Sequence, residues 1–129
     1  MRVIIPIEPV AKGRPKFTKK GFTYTPAKTK AAEQYLRTFV SGYPKFATGL
    51  PLVVSIDFYL TKPKSVSKKR VFPITRPDLD NYIKIIDAFN GVLWDDDSQI
   101  IRMLARKEYG SPARIELNIV GVDKDFIGE

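Results

Sequence analysis

The sequence predicts an α+β fold, a single domain built on a mixed β-sheet that carries two main helices. Three observations lead there. A chain of 129 residues that is 43% hydrophobic and 28% charged has the size and balance of one packed domain rather than of a disordered polymer. Alternation of period two recurs near the amino terminus, in mid-chain and near the carboxyl end, as half-buried strands require. Two segments between those stretches carry apolar residues at helical spacing, and no internal repeat or low-complexity tract interrupts the order. Residues 1–129 are therefore expected to form one unit.

Taken in order, Val3, Ile5 and Ile7 alternate and predict a first strand that stops near Pro9. Residues 16–24 predict a short hairpin whose turn holds Lys19, Lys20 and Gly21. Residues 28–43 place Ala31, Tyr35, Phe39 and Val40 on what reads as the apolar face of an amphipathic helix. Residues 52–60 predict a strand with Leu52, Val54, Ile56, Phe58 and Leu60 on one side. Residues 61–77 read as loop, punctuated by Pro63, Pro73 and Pro77 and loaded with Lys62, Lys64, Lys68, Lys69, Arg70 and Arg76. A helix is expected from about 80 to 91, ended by Gly91 in a left-handed cap. Two strands close the chain at roughly 99–108 and 113–121, the second alternating Ile115, Leu117 and Ile119 with Arg114, Glu116 and Asn118.

Composition excludes several chemistries. With no cysteine there is no disulfide, thiolate metal site or cysteine nucleophile, and with no histidine there is no imidazole base or ligand. No run of 18 apolar residues is available to span a membrane. The opening Met1–Pro6 is too short an apolar stretch for a signal peptide, so a cytoplasmic chain without membrane partners is expected. No glycine-rich phosphate loop is present, which argues against a nucleotide cofactor. Catalysis must rest on carboxylates, lysine, hydroxyls or a bound ion.

The charge is unevenly divided. Residues 12–76 hold 15 Lys/Arg against Glu33 and Asp57, whereas residues 77–129 hold 6 Lys/Arg against 11 Asp/Glu. A basic first half points to a polyanion, with nucleic acid the leading candidate. The acidic second half needs its own explanation, because carboxylates repel phosphate unless a cation stands between them.

The segment Arg76-Pro77-Asp78-Leu79-Asp80-Asn81 supplies it. Pro77 pushes Arg76 towards extended geometry, and an extended stretch directs Asp78 and Asp80 to one side. Asp80 is then expected to cap the following helix. That helix is apolar round most of its circumference, apart from a stripe of Asp80, Lys84, Asp87 and Gly91 that is expected to line a cleft. The plain alternative is an Asp80–Lys84 pair that merely stabilises a helix by a few tenths of a kcal/mol. Next come Asp95, Asp96 and Asp97, three adjacent carboxylates beside a helix end whose dipole disfavours them. A divalent-cation site accounts for this grouping, and oxygen ligands alone favour Mg²⁺ or Mn²⁺ over zinc. An EF-hand does not fit, since Ile83 stands where its glycine belongs and Phe89 where its glutamate belongs. Carboxylate-bound Mg²⁺ beside a basic surface suggests phosphodiester cleavage, with Lys84 offsetting charge that develops on the phosphate.

At these residues the chain resembles the RusA family of endodeoxyribonucleases, the Holliday-junction resolvases of prophages and bacteria. The resemblance is carried by Asp78-Leu79-Asp80-Asn81, Lys84, Asp87, Gly91 and Asp96-Asp97-Ser98-Gln99-Ile100, with Lys12-Gly13-Arg14-Pro15-Lys16 and the segment from Tyr24 into the helix upstream. It implies a RusA-like, Mg²⁺-dependent homodimer that resolves four-way DNA junctions by paired nicks in recombination or repair. Carried over by position, Asp78, Asp80 and Asp97 are the metal-binding aspartates, Asp96 assists them, and Lys84 is the catalytic lysine. Asp87, about 10 Å along a helix axis from Asp80, is read as supporting rather than ligating. Arg14, Lys16, Lys19, Lys20, Lys68, Lys69, Arg70 and Arg76 are the expected DNA contacts. The dimer interface is expected on the 80–91 helix at Tyr82, Phe89 and Leu93, because so apolar a helix needs cover. Two other readings remain open at this point: a non-catalytic DNA-binding prophage protein, and a flap or single-strand nuclease using the same metal chemistry.

Overall fold

A computed structural model describes residues 1–13, 16–17, 21, 23–24 and 26–123. Four strands, β1 (Arg2–Ile5), β4 (Leu52–Leu60), β5 (Ile100–Tyr109) and β6 (Arg114–Gly121), form one sheet in the order β1-β6-β4-β5. β6 runs antiparallel to both β1 and β4, while β5 lies parallel to β4, so the sheet is mixed as expected. A two-residue pair, β2 (Lys16–Phe17) with β3 (Thr23–Tyr24), makes the antiparallel hairpin anticipated between 16 and 24. Of its turn residues only Gly21 is described, with φ at +84°.

One sheet face is buried and the other is open. Val3 and Ile5, Ile115, Leu117 and Ile119, and Leu52, Val54, Ile56 and Phe58 all point inward, which is the period-two pattern read from the sequence. The helical layer covering them begins with α1 (Ala27–Val40). Its buried residues are Thr29, Ala32, Leu36 and Val40, so the expected face of Ala31, Tyr35 and Phe39 is displaced round the helix. The buried row keeps i, i+3, i+7 spacing one position round from the row read from the sequence, and it faces mainly residues 84–89 and β1. Tyr35 stays 41% exposed, and Tyr35, Phe39 and Tyr43 stack on one another along the border at 6.2 and 6.4 Å.

A parallel β4–β5 pair demands a crossover, and residues 61–99 provide it. The single helix expected from 80 to 91 is instead two short pieces, α2 (Leu79–Ile83) and a 3₁₀ helix at Lys84–Phe89. Ile83, Ile85 and Ile86 are β-branched and support α-helix poorly, so the winding tightens as the isoleucines enter the core. Gly91 does adopt the left-handed conformation, at φ +80°. Tyr82, Phe89 and Leu93 are buried within the chain's own core, so they cannot form the dimer contact assigned to them. Phe58 meets the Tyr82 ring at 5.5 Å, and Trp94 meets Phe89 edge-on at 5.8 Å. The sheet and α1 together supply the cover that the apolar helix needed.

Candidate functional site

The site is built from the bottom of the crossover upward. Lys107 stands beside Phe58 at the end of β5, and its Nζ donates to the carbonyls of Thr75 and Pro77 at 2.8 and 2.9 Å. Those bonds fix the chain just before Asp78. Asp78 is extended (ψ 154°) and is itself the N-cap of α2, whereas Asp80 lies inside the first turn; the capping place expected for Asp80 is therefore taken two residues earlier. The carboxylate of Asp78 makes no capping bond. Neither Asp78 nor Asp80 has an ion-pair partner among the described residues.

Burial follows the predicted stripe closely. Asp80, Lys84, Asp87 and Gly91 are exposed, whereas Tyr82, Ile85, Ile86, Ala88 and Phe89 are buried. The stripe faces solvent in a single chain rather than a cleft. Lys84 therefore bears no burial cost, and its Nζ donates to Asn81 Oδ1 at 3.2 Å. Lys12, a residue that sequence reasoning left out of the site, lies along the same stripe. Its backbone N–H donates to the Asn81 carbonyl at 2.8 Å, and its ammonium bridges Glu33 and Asp87 at 3.5 and 3.4 Å. The basic opening segment is thereby tied to the acidic helix.

The three consecutive aspartates do three different things. Asp95 pairs with Lys45, and that hydrogen bond, with a second from Thr48, holds its carboxyl below the ordinary range. Asp96 caps the 3₁₀ turn Asp97–Gln99: its Oδ2 accepts from Ser98 N–H at 3.0 Å, while Gln99 Oε1 accepts from the Asp96 backbone at 3.3 Å. Gln99 also donates to the carbonyls of Ala47 and Leu50, anchoring the turn to the chain before β4. Asp97 alone is turned towards the stripe. Burial is the largest cause pushing its carboxyl up, followed by a shared hydrogen bond with Asp87 and the charges of Asp87 and Asp96; Asn90 pulls the other way.

Asn90 is the hinge of this arrangement and was also missed. Its Oδ1 accepts from Trp94 Nε1 at 2.7 Å, its own carbonyl accepts from Arg37 at 2.8 Å, and its side chain meets Asp97. Arg37 is on α1 and also holds the Ala88 carbonyl at 3.0 Å, so the first helix fixes the end of the second. No local pattern in the sequence announces such a contact; the useful signal was the polar Asn90 beside a glycine in an otherwise apolar run.

The structure thus brings Asp97 together with Asp87, the acid read as merely supporting, and commits Asp96 to a cap. Among the described residues, no group of three or more acidic side chains is close enough to hold a metal ion. Of the expected DNA contacts, Lys68, Lys69 and Arg76 are exposed and Arg70 is half-buried. Arg14, Lys19 and Lys20 lie outside the described residues, and of Lys16 the backbone alone is described. Two carboxylates that share a hydrogen bond need a proton or a cation between them, and an exposed lysine one turn away adds a phosphate-seeking charge. Such a surface suits an anion presented together with a hard cation.

Comparison with known proteins places the chain in a family. The chain is 34% identical over 127 residues to the uncharacterized protein YqaN of Bacillus subtilis (strain 168), an alignment covering 87% of this chain and 89% of that one. Residues 6–120 match the family model of the endodeoxyribonuclease RusA, a span running from the end of β1 to the end of β6 and including the whole aspartate and lysine stripe. The chain belongs to the RusA endodeoxyribonuclease family.

Proposed function

We propose that this protein is a Mg²⁺-dependent resolvase that cuts four-way DNA junctions by paired symmetric nicks, acting as a homodimer. The observation that carries the reading is the division of labour among the acids. Asp95 pairs with Lys45 and Asp96 caps a turn, while Asp80 and Lys84 lie on the exposed stripe, Asp78 stands just before it without an ion-pair partner among the described residues, and Asp97 is turned towards Asp87 on it. The donor chemistry fits a hard divalent cation, since every candidate ligand is a carboxylate oxygen. On this reading Asp78, Asp80 and Asp97, with Asp87 beside Asp97, would hold the ion only on closing towards one another, since among the described residues no three acidic side chains stand close enough to do so. When bound, the ion supplies neutralising charge at the scissile phosphate and an acidified water.

The chain's own residues do the rest. Lys84 Nζ, freed from Asn81, donates to a non-bridging phosphate oxygen and offsets the charge that grows there. Asn90 and the Asp96 cap hold Asp97 in place, and Lys107 holds the approach to Asp78. Lys68, Lys69, Arg70 and Arg76, with Arg14, Lys16, Lys19 and Lys20, supply sequence-independent affinity through phosphates. A four-way junction needs two cuts on opposed strands, and a twofold pair presents two equivalent sites.

The test compares a synthetic four-way junction, a flap and a linear duplex in Mg²⁺ and in EDTA. Paired nicks confined to the junction and lost in EDTA are expected. Tight junction binding without nicking in Mg²⁺ or Mn²⁺ would make this a DNA-binding protein that has lost turnover. Faster cutting of the flap would make it a flap nuclease.

A further inference from the structure

The loop of residues 61–77 carries a feature that phosphate binding does not use. At its tip Val71 is 69% exposed, Phe72 61% and Ile74 78%. Isolated exposed apolar residues are ordinary, but three on one tip form a patch, and the residues around it are Lys68, Lys69, Arg70 and Arg76 with no acid between 58 and 77.

The tip is also held in shape before anything binds. Lys62 Nζ donates to the carbonyls of Lys68 and Arg70 at 3.3 and 2.6 Å, closing the loop on itself. The Ile74 N–H donates to the Phe72 carbonyl at 3.0 Å, a tight turn round Pro73. Pro73 is buried, and a cavity of about 160 Å³ beneath the tip is lined by Leu60, Pro63, Pro73, Tyr82 and Tyr109 among others. Proline goes inward and its apolar neighbours go outward. Lys107 then pins Thr75 and Pro77, a few residues from Asp78. Two lysines are thus used as internal clamps, leaving the remaining cations and the apolar tip for an outside partner.

We propose that this tip is a wedge that takes an unstacked base at a DNA branch point, with Phe72 as the stacking platform and Val71 and Ile74 as its apolar flanks. The inference rests on the nuclease reading above and adds how a branch is told from a plain duplex. The charge of the loop selects a polyanion, and the apolar tip requires that the polyanion also offer an apolar face. Nucleic acid bases do so when unstacked. Unstacking a base inside an intact duplex costs a few kcal/mol, and it costs least where pairing is already interrupted. A rigid apolar tip therefore gains most at a branch. Its place directly before Asp78 puts the discriminating contact next to the acids expected to cut.

The experiment uses the full-length protein and a four-way junction labelled with 2-aminopurine at the branch or, as a control, in mid-arm. Binding is measured in Ca²⁺, and nicking separately in Mg²⁺. Wild type should brighten the branch label and leave the arm label unchanged. Phe72→Ala should abolish the brightening and weaken junction binding by about 5- to 150-fold, the range for loss of one aromatic–base stack, while duplex affinity changes by less than about threefold. Phe72→Trp should restore junction binding, and the exposure of residue 72 means neither variant threatens the fold.

Junction binding and nicking that are the same in Phe72→Ala as in wild type would overturn the wedge and leave the nuclease reading standing. A wild-type protein that neither binds nor nicks any branched DNA would overturn both. Capture by anionic vesicles that depends on Phe72, with junction binding unaffected, would assign the tip to a membrane surface instead. Conversion of a dimer to a monomer by Phe72→Ala in light scattering would assign it to a second copy of the chain.

Discussion

The two halves of the β4–β5 crossover each present a charged surface, yet they are held by different means. Residues 78–99 are fixed by packing and by their neighbours: Asp96 caps its own turn, Trp94 bonds Asn90, Arg37 and Gln99 tie the segment to α1 and to the chain before β4, and Tyr82, Ile85, Ile86, Ala88 and Phe89 enter the core. Residues 61–77 are fixed by two lysines, Lys62 just after β4 and Lys107 in β5, which between them hold four backbone carbonyls. The acidic half is rigid because its other side is buried. The basic half is held because Lys62 within it and Lys107 from β5 spend their ammonium groups on its backbone carbonyls. Under the proposed function this difference separates chemistry from recognition: the acids sit on a frame set by packing, and the cations sit on a loop shaped by lysine clamps.

That comparison can be broken most severely at the acids. Asp80→Asn should abolish junction nicking in Mg²⁺ while junction affinity is kept or rises, because a repulsive charge near phosphate is removed. Lys84→Ala should slow nicking by about 100- to 1,000-fold, the loss expected when one charge-stabilising donor is removed, with no change in the Mg²⁺ concentration that half-saturates the rate. Gel assays of a labelled junction check both. Robust cutting by Asp80→Asn would end the assignment of that residue.

Changing the basic half should act on affinity and leave the cutting step alone. Replacing Lys68, Lys69 and Arg70 by Ala should weaken junction binding. It should also flatten the slope of log K against log salt by about 0.9 for each duplex phosphate that is no longer neutralised. Filter binding between low and moderate salt measures this. An unaltered slope would show that these side chains are solvated surface. Lys107→Met should instead loosen the loop without removing a DNA-binding side chain. It deletes two charge-assisted hydrogen bonds, so a stability loss of about 1.5–3 kcal/mol is expected, read as a lower urea midpoint at an unchanged slope.

The same contrast explains what was legible in the sequence. Strands 52–60 and 113–121 were read with their inward faces because alternation is a local pattern with one meaning when half the residues are apolar. The stripe Asp80, Lys84, Asp87 and Gly91 was legible for the same reason, and it is the exposed face. What failed was everything decided at a distance. The face of α1 moved because the 84–89 segment and β1, brought to it only by the fold, cover Ala32 and Leu36 and leave Tyr35 exposed. Tyr82, Phe89 and Leu93 were assigned to a partner subunit, since the sequence cannot say that β4, β6 and α1 suffice to cover them. The clamping lysines and Asn90 were unreadable because their targets are backbone carbonyls and a carboxylate brought near only by the fold. Within the aspartate triplet the resemblance assigned Asp97 as ligand with Asp96 assisting, and the fold gives the three acids different partners, Lys45 for Asp95, Ser98 for Asp96 and Asp87 for Asp97.

The smallest effect is expected inside that triplet, at Asp95, and it sharpens the comparison most finely. Asp95 is exposed to solvent on its carboxylate, and its pairing with Lys45 and Thr48 holds its pKa below the ordinary carboxylate value. A lowered pKa in the folded state means that the ionised form is favoured by folding. The contribution is therefore present above the unfolded carboxylate range and is lost as pH falls through the folded pKa. Asp95→Asn should lower the thermal midpoint slightly at neutral pH, by an amount that shrinks on acidification and in high salt, since exposed pairs are screened. Its rate of junction nicking should match that of wild type, because Asp95 faces Lys45 and the chain before β4 rather than the stripe. Calorimetry from neutral to acid pH, run beside the nicking assay, checks both halves of the statement. If Asp95→Asn abolished nicking while leaving the midpoint untouched, Asp95 would be a ligand and the division of labour among the three aspartates would have to be redrawn.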